Sequence, residues 1–200
     1  MSEINNEKKE KLKELLGSEL IEKVYANLGN RLIEDMSIDN ADKIVQVFKE
    51  QGLSLEIIEK CSSILVWGNE NEIREILKVL DEKDIGRDIL KTNGKILATG
   101  KAKEIKKILE LLEEKKLGKK FIIGNGNILA NGKVNNIRRI FEIFDQYKLD
   151  IKILNKNGEI LSRGIPNNIE QIIKLVKCEL GIEFLEKNNY FGYDKNSVML

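Results

Sequence analysis

Gly68, Gly100, Gly132 and Gly164 stand 32 residues apart. Apolar residues keep the same step. Ile64-Leu65, Ile96-Leu97, Ile128-Leu129 and Ile160-Leu161 precede the glycines, and Ile73, Ile105, Ile137 and Ile169 follow them by five positions. Ile76, Ile108, Ile140 and Ile172 come next, then Leu80, Leu112, Phe144 and Val176. Each copy opens on an apolar pair: Ile57-Ile58, Ile89-Leu90, Phe121-Ile122, Ile153-Leu154. A segment this short cannot bury such a stripe alone, so each copy must stack on its neighbours.

The register extends upstream through Leu32-Ile33, Ala41, Ile44, Val45, Phe48 and Leu53, with Met36 in place of the glycine. Leu12, Leu16 and Ile21 fit half a copy, and residues 182–191 begin another that stops. The expectation is one repeat domain over residues 1–200. It has an N-terminal cap at 1–22, copies at 23–53, 54–85, 86–117, 118–149 and 150–181, and a C-terminal cap and tail at 182–200.

The second half of a copy reads as an amphipathic helix. In Glu104–Leu117 the apolar residues Ile105, Ile108, Leu109, Leu112 and Leu117 follow a period near 3.6. Gly86 and Gly118 are expected to close two of these helices. The first half admits two readings. Asn93-Gly94, Asn157-Gly158 and Gly124–Asn127 are hairpin-turn signals and would make a ββα copy. Leu53–Gly68 instead has a Ser54 cap, apolar residues at 57, 58, 61, 64 and 65, and no turn residue inside, which makes a helix. Copies of one repeat share a fold. The preferred class is therefore all-α, an α-solenoid of about five helix-turn-helix copies, with Asn-Gly breaking the first helix. Asn93, Asn125 and Asn157, with Cys61 in their slot earlier, either break that helix or form a hydrogen-bonded ladder between copies.

The segment Asn93–Ile105, NGKILATGKAKEI, looks like a phosphate loop but fails as one. Five residues separate Gly94 from Gly100 where four are needed, and Ala102 stands where a hydroxyl should bind Mg²⁺. Histidine is absent, which removes the commonest general base and a common metal ligand. Cys61 and Cys178 have no C-x-x-C partner, so neither a zinc site nor a disulfide framework is expected. Glu113-Glu114 and Asp81-Glu82 are read as solvated helix residues. No apolar stretch reaches transmembrane length. The expectation is a cytoplasmic protein, not an enzyme, with no catalytic residue, metal, cofactor or membrane partner.

The copy Gly52–Leu80, GLSLEIIEKCSSILVWGNENEIREILKVL, resembles repeats of the mitochondrial transcription termination factor family. Ser62-Ser63-Ile64-Leu65 sits where those repeats carry Pro-x-Leu-Leu, and Gly94, Gly126 and Gly158 hold the proline's place later. The layout is also similar to TAL-effector-type helix pairs. The resemblance covers about residues 20–185. It implies a non-enzymatic superhelix that tracks a nucleic-acid backbone, a warrant from fold analogy.

Charge points both ways: the near-neutral total favours a protein partner and the basic middle favours nucleic acid. Net charge is +1, yet residues 100–139 carry eleven Lys/Arg against four Glu. Lys101, Lys103, Lys106, Lys107, Lys119, Lys120, Lys133, Arg138 and Arg139 are candidate phosphate contacts. Three of the pairs (Lys101 with Lys133, Lys106 with Arg138, Lys107 with Arg139) are equivalent positions. A solvated helix face is the competing reading. Trp67, Thr99, Asn131 and Arg163, each just before a glycine, are candidate contacts along one edge, or exposed turn residues free to vary. Trp67 could stack on a base or anchor a protein. Two functions follow: binding DNA or RNA and regulating a process on it, such as transcription, or binding a protein as an inhibitor or adaptor. A phage or accessory-element inhibitor of a nucleic-acid enzyme is one example of the second.

Overall fold

A computed structural model describes residues 3–179. The expected C-terminal cap and tail lie outside the described residues. Among those residues every regular element is helical and no strand occurs, so the ββα alternative falls. The chain forms two compact units, Met1–Lys106 and Lys107–Leu200.

The first unit contains α1 (Glu3–Leu16), α2 (Ser18–Asp35), α3 (Ile38–Glu50), α4 (Glu56–Lys60), α5 (Ile64–Trp67), α6 (Glu70–Glu82), α7 (Ile89–Thr92) and α8 (Lys95–Thr99), and α9 (Ala102–Glu114) begins within it. The second contains α10 (Lys119–Gly124), α11 (Asn127–Asn131), α12 (Val134–Gln146), a 3-10 turn at Ile151–Ile153, α13 (Leu154–Asn157), α14 (Glu159–Arg163) and α15 (Pro166–Glu179). The pattern is short helix, break, short helix, glycine corner, long helix. The first half of a copy is thus two short helices rather than one. The long helices bury the expected columns: Ile73, Ile76 and Leu80 in α6, and Ile137, Ile140 and Phe144 in α12, are all buried.

The break falls at Asn93 and Asn125 and also at Cys61, which corrects the expectation of one unbroken helix over Leu53–Gly68. Cys61 adopts φ −136°, ψ 65°, Asn93 −129°, 49°, and Asn125 −126°, 37°. Gly29, 32 residues before Cys61, is the non-helical kink inside α2. The last carbonyls of a helix lack intrahelical donors. Asn125 Nδ2 donates to Phe121 O at 2.9 Å and Asn157 Nδ2 to Ile153 O at 3.1 Å, capping the first short helix from within the same copy. Neither bond forms a ladder between copies.

The glycine of each Asn-Gly pair is therefore not a turn glycine. Gly94 (φ −53°, ψ −24°) and Gly158 (φ −59°, ψ −22°) are helical. A Cβ on Gly94 would lie 2.8 Å from Cys61 Cβ, and one on Gly158 would lie 2.1 Å from Asn125 Oδ1. The break residue of one copy presses on the glycine of the next.

The corners obey the same rule. Gly68, Gly100, Gly132 and Gly164 all have φ between −62° and −64°, which any L-residue adopts. Their Cβ atoms would instead meet the carbonyl oxygen four residues back, at 2.4, 2.3, 2.4 and 2.2 Å. The glycine N–H bonds that same oxygen, at 2.7–3.0 Å. Met36, the one side chain in this column, bonds the carbonyl three residues back at 3.3 Å.

Where the long helices end, the structure corrects the expectation for Gly86 and Gly118. The left-handed closing residue is Gly52 (φ 65°), Asp84 (50°), Lys116 (56°) or Lys148 (56°). The following N–H, from Leu53, Ile85, Leu117 or Leu149, reaches back five residues at 2.8–3.0 Å, and the apolar side chain after the turn packs onto the helix end. Gly118 instead precedes α10 in extended backbone (φ −71°, ψ 171°).

Candidate functional site

Trp67, Thr99, Asn131 and Arg163 are the final residues of α5, α8, α11 and α14. Three of these residues interact back along their own helices. Thr99 Oγ1 donates to Lys95 O at 3.2 Å, Asn131 Nδ2 to Asn127 O at 3.5 Å, and Arg163 Nε lies 3.7 Å from Glu159 Oε1. Each reaches four residues back along its own helix, which is the geometry of neighbouring turns. Trp67 is 53% exposed.

In the first unit Lys101 immediately precedes α9, and Lys103 and Lys106 lie on its first turns; all three are exposed. They do not stand in a purely basic field. Lys103 and Lys106 line an open groove with Glu72, Glu75, Lys78 and Glu82 of α6. One of those carboxylates is committed to the fold. Glu72 Oε1 accepts from Ala102 N and ties one corner to the preceding long helix. The equivalent residues Asn40 and Asn136 do the same by donating to Gly68 O at 3.0 Å and Gly164 O at 3.4 Å. This clamp was legible as a column of polar residues four after each corner, but its target was not.

In the second unit Lys107 is exposed, Lys119 and Lys120 open α10, Lys133 is the N-cap residue of α12, and Arg138 and Arg139 lie in that helix. Arg138 and Arg139 differ. Arg139 is 3.1 Å from Glu142 and 3.5 Å from Glu170, so part of its charge is used inside the protein. Arg74, equivalent to Arg138, pairs with Glu50, and this hydrogen bond holds the Glu50 carboxyl below the usual range. Among the described residues Arg138 has no carboxylate within ion-pair distance. In the sequence Arg138 and Arg139 are equal candidates for phosphate contact.

The start of each long helix separates the copies more sharply. Ser37 caps α3 by accepting from Asn40 N, and Asn69 caps α6 by accepting from Asn71 N and Glu72 N. The next two occupants of this column are Lys101 and Lys133, and Lys133 makes no side-chain cap bond. Ammonium groups only donate.

The carboxylate pairs are exposed, and Asp81 is drawn below its usual pKa by the hydrogen bond from Arg87. No group of three or more His, Cys, Asp or Glu that could hold a metal ion occurs among the described residues. No helix among them is long and apolar enough to cross a membrane. No protein-family model matches the chain, and no curated protein or solved structure matches it. Among the described residues the fold defines a class, an all-helical protein, with Lys101 and Lys133 at the starts of two of its long helices.

Proposed function

We propose that the copies stack as an α-solenoid and that the chain is a non-enzymatic protein that binds nucleic acid through its basic middle copies, regulating a process on that nucleic acid by occupancy. The observation that carries this reading is the change of the helix-start column from Ser37 and Asn69 to Lys101 and Lys133. Losing the cap costs about 1 kcal/mol. Placing a cation at the positive end of a helix dipole costs roughly 0.3–1 kcal/mol more. At α9 the Glu72 carboxylate offsets part of the cost by accepting from Ala102 N, but the cation recurs in two successive copies, where Lys103, Lys106, Arg138 and Arg139 add positive charge to the first turns. A row of phosphates supplies the negative charge that offsets it. Arg138 supports the reading further, since among the described residues it has no carboxylate partner like the one its counterpart Arg74 has.

The test is binding of the full chain to a mixed DNA and RNA pool at two salt concentrations, with Lys101→Glu, Lys133→Glu and Arg138→Glu made together. Binding should weaken with salt, and the slope should fall by about one for each lost phosphate contact. No binding at low salt sinks the proposal. A second reading, an inhibitor or adaptor that grips a protein, is favoured by the exposure of Trp67. It predicts nuclease-insensitive capture of a partner that Trp67→Ala abolishes.

A further inference from the structure

A single residue, Gly17, joins α1 to α2. It stands at φ 84°, ψ 159°, a region that essentially only glycine enters. The backbone on both sides is already bonded as a helix. Gly17 N donates to Lys13 O at 2.9 Å, and Gly17 O accepts from Ile21 N at 3.2 Å. Both are the four-residue bonds of an uninterrupted helix. Only the bonds between them are missing. No side chain caps α2. Among the described residues the N–H groups of Ser18, Glu19 and Leu20 have no partner. Turning Gly17 alone to helical φ and ψ pairs those donors with the carbonyls of Glu14, Leu15 and Leu16. It makes α1 and the start of α2 one helix.

What opposes that turn is the seat of α1. The helix packs on α2 and α3, with Leu12 and Leu16 buried. Polar contacts add to the hold. Lys8 Nζ donates to the carbonyls of Ile33, Glu34 and Met36 around the end of α2. Lys9 pairs with Glu22 at 2.9 Å and lies 5.4 Å over the Tyr25 ring. A lone chain that straightens at Gly17 forfeits these contacts. Two chains that straighten together need not, because α1 of each can take the same seat on the other. The exchange restores the seat and adds the missing helix bonds. We propose that Gly17 is a hinge and that α1 exchanges between two copies of the chain, giving a dimer in which each α1 lies on the α2 and α3 of its partner. Alanine probes the hinge directly. A Cβ at Gly17 meets nothing within 4 Å, so only the closed backbone resists it. Alanine also favours the continuous helix. The proposal is independent of what the basic copies bind.

Analytical ultracentrifugation of the full chain, refolded from urea at millimolar concentration, tests it. The native chain should yield dimer beside monomer. Gly17→Ala should lower the dissociation constant at least about thirtyfold, since the strain is relieved in both chains. Carbodiimide coupling of Lys9 to Glu22 then reads where α1 sits. Isotope-labelled and unlabelled native chains are mixed equally before refolding. In the dimer about half of the coupled peptides should join a labelled to an unlabelled segment, and in the monomer none should. A native chain that stays monomeric overturns the proposal. So does a dissociation constant that Gly17→Ala leaves unchanged, or a dimer whose coupled peptides each carry one isotope only.

Discussion

Gly132→Ala separates two explanations of the corner glycines by the sign of its effect. If the glycine served only backbone freedom, alanine would be harmless. The corner has φ −63°, ψ 142°, which alanine adopts without strain, and restricting the unfolded chain would stabilise by about 0.4–1 kcal/mol. The steric account predicts the opposite. A Cβ at this position lies 2.4 Å from Ile128 O and 3.1 Å from Ile137 Cδ1. Ordinary contact begins near 3.4 Å, so the backbone must open by most of an ångström. Opening weakens the 2.8 Å bond from Gly132 N to Ile128 O, at roughly 1–3 kcal/mol for a poorly satisfied carbonyl. Repacking around Ile137 adds about 1–3 kcal/mol. Met36 shows a route of escape, a longer bond to the carbonyl three residues back, which places the net loss at the lower end, about 2–3 kcal/mol. Gly118→Ala is the control. It has a similar φ of −71°, and nothing lies within 4 Å of its Cβ. Urea denaturation followed by far-ultraviolet circular dichroism should show Gly132→Ala shifted to lower midpoint and Gly118→Ala unchanged or slightly higher. Equal midpoints for the two variants would refute the steric reasoning.

Lys116→Gly and Lys148→Gly should each stabilise by about 0.5–1 kcal/mol, because left-handed backbone costs an L-residue about 1–2 kcal/mol and glycine's greater freedom offsets part of the relief; thermal melts would show it. Asn157→Ala should cost about 1–3 kcal/mol, since it strips the donor from Ile153 O at a buried site, and chemical denaturation measures this. Arg139→Ala should lower the melting midpoint more than Arg138→Ala, because among the described residues Arg139 is paired, with Glu142 and Glu170, and Arg138 is not. The carboxyls of Glu50, Asp81 and Glu170 are held below their usual pKa by hydrogen bonds from Arg74, Arg87 and Lys174 respectively. Their contribution is present above the unfolded carboxylate range and lost as pH falls through the depressed values, so stability should decline in acid, below about pH 4–5. With no histidine the pH profile should be nearly level from about pH 6 to 8. A histidine-like step in the melting midpoint there would contradict this.

The chain's own residues determined the helical class of the long segments, the 32-residue step and the core columns. Those follow from periodicity: Ile73, Ile76 and Leu80 share a helix face whatever surrounds them. The residue types also located the break at Asn93 and Asn125, while the same break at Cys61 interrupts a segment that reads as one helix. Only the tertiary structure decided why Gly94 and Gly158 are there. Asn93-Gly94 and Asn157-Gly158 carry a local hairpin signal, and it loses to contacts made with residues 32 or so positions away. Gly158 yields to the Asn125 side chain, and Gly94 yields to Cys61. The same holds for charge. Arg74, Lys106 and Arg138 are one column in the sequence, yet Glu50 pairs with the first and Arg138 has no such partner among the described residues. Backbone preference and apolar period are properties of a segment and can be read from it. Steric exclusion and ion pairing are properties of two segments brought together, and they exist only once the copies pack.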